Sequence, residues 1–322
     1  MVARYFILLT LALLAGSLHL FGVGELGSGG SNLDVGLSKV DSAAKSNKPA
    51  GPPARSFYSV KLEALYFPHA EMDGKDGELS EKSAGVEFSW NRFAAFNNFT
   101  QIMGSYTARN YDVEKAEPYA GSFTEVNAFR IGSTFERPIG DRWSAFVVSR
   151  VSLQSAKGTS PFEGWNVPFS AGVGYMFHPK FIVSAGALGI FQAQLGTTVI
   201  PIVTLRWTPT DRLTIMTLNG IRVGYKLGEK KEWEILSSVV YETFVFAVTD
   251  LEGFDEQQGV VSQEYFQARI GLSRKFGRMF EVGFFLESRF DREFEYYKDD
   301  KKFDEFGVDS SIGFRLDGTF RF

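Results

Sequence analysis

Apolar and polar residues alternate along most of the chain from residue 56 onward. Tyr58, Val60, Leu62, Ala64 and Tyr66 oppose Ser59, Lys61 and Glu63. Val167, Phe169, Ala171, Val173, Tyr175 and Phe177 share one face against Pro168, Ser170, Gly172, Gly174 and Met176. Phe266, Ala268, Ile270 and Leu272 oppose Gln267, Arg269, Gly271 and Ser273. A period of two sustained this far is a β-strand with one apolar and one polar face. No long stretch has the 3.6-residue period of an amphipathic helix. The pattern predicts strands at 57–67, 84–95, 99–111, 123–137, 142–155, 167–177, 181–191, 199–207, 212–218, 221–227, 233–247, 260–276, 279–290 and 306–322, fourteen in all. Fusing 212–227 across Asn219–Gly220 would leave thirteen, an odd number that single-chain bacterial barrels avoid. Asn-Gly is also a strong two-residue hairpin signal. Twelve strands is the alternative, because the two halves have only about seven residues against the roughly 9–11 that cross a bilayer.

Two architectures use such strands. A soluble sandwich turns its apolar face inward, whereas a membrane barrel turns it to lipid and keeps polar residues in its lumen. Turn length separates them. Short turns fall at 96–98, Pro138–Asp141, His178–Lys180, Thr208–Asp211, Gly228–Glu232 and Gly277–Arg278. Longer or more polar connections fall between them, at 68–83, 112–122, 156–166, 192–198, 248–259 and 291–305. Short periplasmic turns and longer extracellular loops are the barrel pattern. Aromatic residues flank the short turns: Phe135 and Trp143, Phe177 and Phe181, Trp207, Trp233, Phe276 and Phe280. Rings at strand ends form a belt where apolar bodies meet lipid headgroups.

The last strand places Ile312, Phe314, Leu316, Gly318, Phe320 and Phe322 opposite Gly313, Arg315, Asp317, Thr319 and Arg321. This tail resembles the C-terminal signature of bacterial outer-membrane β-barrels. The resemblance implies that Leu316, Phe320 and Phe322 form an assembly signal read by the barrel-assembly machinery. The segment Gly172–Trp207 also resembles a family of outer-membrane barrels known only as a domain of unknown function, which implies no activity. At the other end, a charged start at Met1–Arg4 precedes the apolar run Tyr5–Ala15 and small residues after it, the plan of a secretory signal. The expected organisation is a signal peptide at 1–24, a flexible periplasmic leader at 25–55 and a barrel at 56–322. The leader is rich in Gly, Ser, Ala, Pro and Lys and has no aromatic residue, too little apolar surface to offset chain entropy. The expected location is the outer membrane of a Gram-negative bacterium, with outer-membrane lipid as the surrounding partner.

Composition agrees with this and removes other classes. The chain has 322 residues, a formal net charge of −4 and no cysteine. The charge gives no support to a nucleic-acid binder, and lack of thiols removes disulfide frameworks, thiolate metal sites and cysteine nucleophiles. A mean hydropathy of −0.08 excludes a bundle of membrane helices, each needing about 20 apolar residues. The 32 phenylalanines and 33 glycines fit a lipid-facing coat with small residues at turns and inside.

Candidate chemistry is sparse. The three histidines are His19 in the signal, His69 in the first long connection and His178 in a short turn. His69 is the sole candidate for a lipid-modifying enzyme, and no Gly-x-Ser-x-Gly motif accompanies it. The acidic connections at Glu71–Glu78 and 291–305 lack the spacing of a calcium loop. No enzyme, metal or cofactor is therefore expected. The lumen is more informative. Strand parity turns Arg130, Arg150, Arg206, Arg269 and Arg315 inward, with Lys61, Arg222, Arg289 and Arg321. It also turns in Glu63, Glu87, Glu281 and Glu287, with Glu234, Glu242 and Asp317. Two uses follow from the same residues: a porin-like channel with a mild anion preference, or a structural, surface-interacting barrel whose lumen is blocked by paired charges. The leader is either a free periplasmic segment or a plug that uses Lys39, Lys45, Lys48 and Arg55.

Overall fold

The computed structural model describes residues 55–73, 76–95, 98–114, 123–217, 219–249, 259–298 and 301–322. The expected signal peptide and all of the expected leader before Arg55 lie outside these residues. Strands follow one another as β1 (Arg55–Asp73), β2 (Glu78–Ala95), β3 (Asn98–Glu114), β4 (Glu125–Pro138) and β5 (Trp143–Ala156). A short 3₁₀ turn, Pro161–Gly164, leads to β6 (Trp165–His178), β7 (Phe181–Gln192), β8 (Gly196–Trp207), β9 (Leu213–Thr217) and β10 (Gly220–Leu227). Then come β11 (Trp233–Val248), β12 (Gly259–Phe276), β13 (Phe280–Lys298), β14 (Lys301–Val308) and β15 (Ser311–Arg321). Each wall strand pairs antiparallel with its neighbour, and β1 pairs with both β14 and β15 to close the ring. Because β14 and β15 stand end to end between β13 and β1, the fifteen segments occupy fourteen wall positions. The fold is a closed, antiparallel up-and-down β-barrel.

Outward residues carry the apolar coat. Leu62, Phe88, Ile131, Val173, Phe284 and Leu316 are all exposed, as a wall facing lipid requires. Rings pair at the short-turn end, with Phe280 against Phe320 at 4.4 Å and Tyr58 against Phe322 at 6.0 Å. The Asn219–Gly220 turn forms as expected. Both residues have positive φ, 47° and 150°, and a Cβ on Gly220 would lie 2.2 Å from the Val239 carbonyl oxygen.

Two expected connections are in fact strand. Within 68–83 the chain runs on in β1 and β2, and within 291–305 in β13 and β14. The β1 and β13 parts lost their period of two to a β-bulge, whereas 78–83 keeps the parity of β2 and is mostly polar on both faces. The register shifts between Phe67 and Ala70 and opposite Glu264–Phe266, and Asp291 has a φ of 53°. A bulge adds one unpaired residue and moves every later side chain to the other face. Phe67 points inward, and beyond the shift so do Ala70 and Met72. The expected connection at 192–198 likewise shortens to three residues between Gln192 and Gly196.

These long strands carry the wall beyond the lipid-facing band, and there the interior is apolar. Met72, Leu79, Tyr111, Phe123, Val126, Phe244, Phe246, Val261, Phe294, Tyr296 and Phe306 form one buried core. Across it, β5 and β11 meet in a parallel bridge at Ser155–Ala247. Both strands ascend, so a contact between them is parallel and draws the far end of the barrel in over the shorter β6–β10. Gly164 allows the approach: a Cβ there would sit 1.8 Å from the Gln154 carbonyl oxygen and 2.7 Å from the Ala247 nitrogen.

Candidate functional site in the lumen

Inward positions form tiers along the barrel axis. Nearest the short turns, Lys275 Nζ lies 3.6 Å from Glu234 Oε2, and Arg321 Nη2 donates to Glu281 Oε2 at 2.9 Å. Above them, Lys61 Nζ stands between Asp317 and Glu63, at 3.5 and 3.4 Å. Arg315 then gathers three carboxylates: Glu63 at 2.5 Å, Asp317 at 2.8 Å and Glu287 at 3.6 Å. Glu287 is also held by Arg269 at 2.6 Å and by the Gln267 amide. Apart from Glu234 on β11, these groups come from β1, β12, β13 and β15, strands that the closure of the sheet makes neighbours.

The highest charged tier centres on Glu81. Its buried carboxylate accepts from Arg289 and, at 2.7 Å, from Arg292, with Arg109 Nη1 at 3.9 Å. The Gln263 amide, oriented so that its oxygen accepts from Arg292 and its nitrogen donates to the Tyr111 hydroxyl, completes the cluster. The arginines double as the floor of the apolar core. Arg109 lies over the Phe244 ring at 3.7 Å, Arg289 over Phe67 at 4.3 Å and Arg292 over Phe294 at 5.0 Å, distances at which cation–π attraction operates. Immediately above, Phe294 stacks on Phe306 at 4.8 Å and on Phe123 at 5.8 Å.

A narrow chamber with a cavity volume of about 40 Å³ lies in the middle tiers. Its lining holds Arg109, Arg130, Arg222, Arg269, Arg289 and Arg315 against Glu63, Glu242 and Glu287, six positive charges to three negative. A second space with a cavity volume of about 60 Å³ nearer the short turns is lined by Lys61, Glu234, Lys275, Glu281 and Asp317 among others.

Of the lumen residues singled out in the sequence, Arg130, Arg269, Arg315, Glu63 and Glu287 line the chamber and Glu281 the lower space. Arg150 and Glu87 are buried on the inner faces of β5 and β2. Arg206 sits on β8, opposite Ile182 and Met216. Glu81 and Arg292 escaped notice because they fall in the stretches read as connections. Arg109 was within reach, since it shares parity with Gln101 and Met103 on an expected strand. Leu316, Phe320 and Phe322 are on the outer face. His69 stands on β1 and not in a connection, with Nδ1 3.9 Å from Glu78 Oε2. His178 Nδ1 accepts from the Lys180 backbone N–H at 3.1 Å. Among the described residues, no group of three His, Asp or Glu is placed to hold a metal.

The sheet closes on itself, its outer face is apolar and its interior is charged. The chain is an outer-membrane β-barrel by fold. No protein-family model and no curated protein matches it. Among solved structures it is similar to an outer-membrane channel from Pseudomonas putida F1, at 8% identity and a TM-score of 0.45 over 86% of this chain and 100% of that one. A FadL homologue from Pseudomonas aeruginosa matches at 9% and 0.42, over 83% and 89%. The KdgM porin matches at 10% and 0.35, over 81% and 98%. At such identities neither solute nor route transfers to this chain.

Proposed function

We propose that the protein is an exported outer-membrane channel for small solutes that favours anions and acts without a cofactor. The observation that carries this reading is the chamber lining, where six arginines face three glutamates, with Glu81 and Asp317 just outside it pairing Arg289 and Arg315. A surplus of fixed positive charge in a confined, low-dielectric space raises the local concentration of anions and disfavours cations. Outer-membrane lipid surrounds the barrel in this reading, and the assembly machinery inserts it through the strand bearing Leu316, Phe320 and Phe322. A second reading, a surface-interacting barrel with a blocked lumen, is favoured by one observation: the aromatic core above Glu81 fills the extracellular end among the described residues.

Planar bilayers separate the two. A channel gives small unitary currents whose reversal potential under a salt gradient has the sign of the anion. Replacing Arg130 and Arg269 by glutamine moves it toward the cation. Folded protein that inserts and never conducts would leave the blocked barrel as the function.

A further inference from the structure

Among the described residues the wall lacks strand pairing at one place. β9 has five residues and pairs with β8 only at Leu205–Thr217, Arg206–Met216 and Trp207–Ile215. At Asn219–Gly220 the chain turns back, with Tyr241 N–H donating to the Asn219 carbonyl at 3.0 Å as the last bond to β11. β8 and β11 both continue past this turn. Residues 197–203 of β8 therefore have no strand partner on their β9 side among the described residues. The result is a window bounded by β8, by β11, by the β9–β10 turn below and by the Ser155–Ala247 bridge above. Its height is fixed by β7, where Phe181 pairs with Trp207 near the short turns and Phe191 with Thr197 at the far side. The window thus lies within the lipid-facing band, in the half away from the short turns.

The polarity of its edge follows from one hydrogen bond. Leu205 N–H donates to Thr217 Oγ1 at 2.8 Å, so odd residues of β8 aim their N–H and C=O toward β9. Val199 and Val203 aim both groups into the window, and Pro201 aims its carbonyl there. Pro201 has no N–H, and proline inside a sheet is confined to strand edges. The sequence itself thus writes an edge at this position. Lipid tails offer no hydrogen bond, and unpaired backbone at membrane depth persists only inside protein or beside water. No strand covers this edge among the described residues, and Val203 and Val199 beside it face outward, 72% and 64% exposed. Arg222, Ser238, Val240 and Glu242, on the strands at the foot of the window, belong to the chamber lining.

We propose that this window is a hydrated lateral portal through which a small amphipathic anion passes between the arginine-lined chamber and the outer leaflet. The anionic end is drawn by the chamber arginines, and the apolar end leaves between Val199 and Val203. This inference rests on the channel reading and adds a route and a solute class to it.

The chain has no cysteine, so single introduced thiols report one site each. In lipid vesicles, V203C and V199C should react with a membrane-impermeant maleimide about tenfold or more faster than A185C and V173C, which sit on fully paired strands facing lipid. Heat-modifiable gel mobility confirms that each variant is folded. Coupling a bulky maleimide to I202C should lower octanoate flux into the vesicles severalfold. V203C and V199C reacting as slowly as A185C would overturn the hydrated window. Unchanged octanoate flux through labelled I202C would overturn the portal while leaving a conducting channel intact. Absence of both flux and current, with V203C still fast, would overturn the channel and the portal together.

Discussion

Glu81 holds three arginines from two other strands beneath the apolar core, and no water-facing route compensates them if it is lost. Removing one member of a buried ion network is far costlier than the net worth of the pair, because the remaining charges stay buried, and about 3–5 kcal/mol is typical. E81A should therefore lower the unfolding temperature of the detergent-solubilised barrel and its midpoint in denaturant by an amount of that order. Truncating the exposed partner of a rim pair, such as Asp211 to Lys180 at 3.0 Å, should change neither measurably. Parity alone assigned the lumen charges that lie on uninterrupted strands, Glu63, Arg130, Arg269, Glu287 and Arg315 among them. It failed for Arg292, whose face is set beyond the bulge at Asp291, because a bulge reverses parity without leaving a distinct residue signature. Glu81 keeps the parity of Glu87 on β2 and was missed because it precedes the expected start of that strand.

At the scale of elements, the departure from a uniform cylinder is the bridge between β5 and β11. It depends on a residue with no side chain at 164, where any Cβ would overlap the Gln154 carbonyl. G164A should push the 3₁₀ turn away from Ala247 and loosen the end away from the short turns while leaving the lipid-facing wall paired. Hydrogen exchange should then rise at Ser155 and Ala247 and stay unchanged at β1–β3 and β12–β13. Uniform protection in the variant would show that the bridge does not hold that end together. The same bridge leaves β9 and β10 as a short hairpin below it, as the Asn219–Gly220 signal and the seven-residue expected strands foretold. What those strand lengths left open was that β8 runs on past the hairpin with one edge unpaired.

For the whole molecule, closure is made by β1 against β14 and β15. Tyr58 N–H donates to the Phe322 carbonyl at 2.8 Å, and Phe322 N–H to the Tyr58 carbonyl at 3.0 Å. Phe322 itself faces outward beside Tyr58. F322D puts a carboxylate in the apolar belt without touching those backbone bonds, and its expected effect is on insertion. The heat-modifiable form in the outer membrane should fall severalfold, and normal amounts would count against an assembly role for this residue. The sequence by itself determined that the chain is a barrel with lipid outside and charge within, and favoured fourteen strands over twelve, because alternation, turn length and terminal aromatics are local properties that each strand carries alone. Only the tertiary structure decided that the charges pair in tiers, that an aromatic core fills the end away from the short turns and that one edge of β8 has no strand partner among the described residues. Those features depend on which distant strands meet across the lumen and at what height, and a local period of two contains neither.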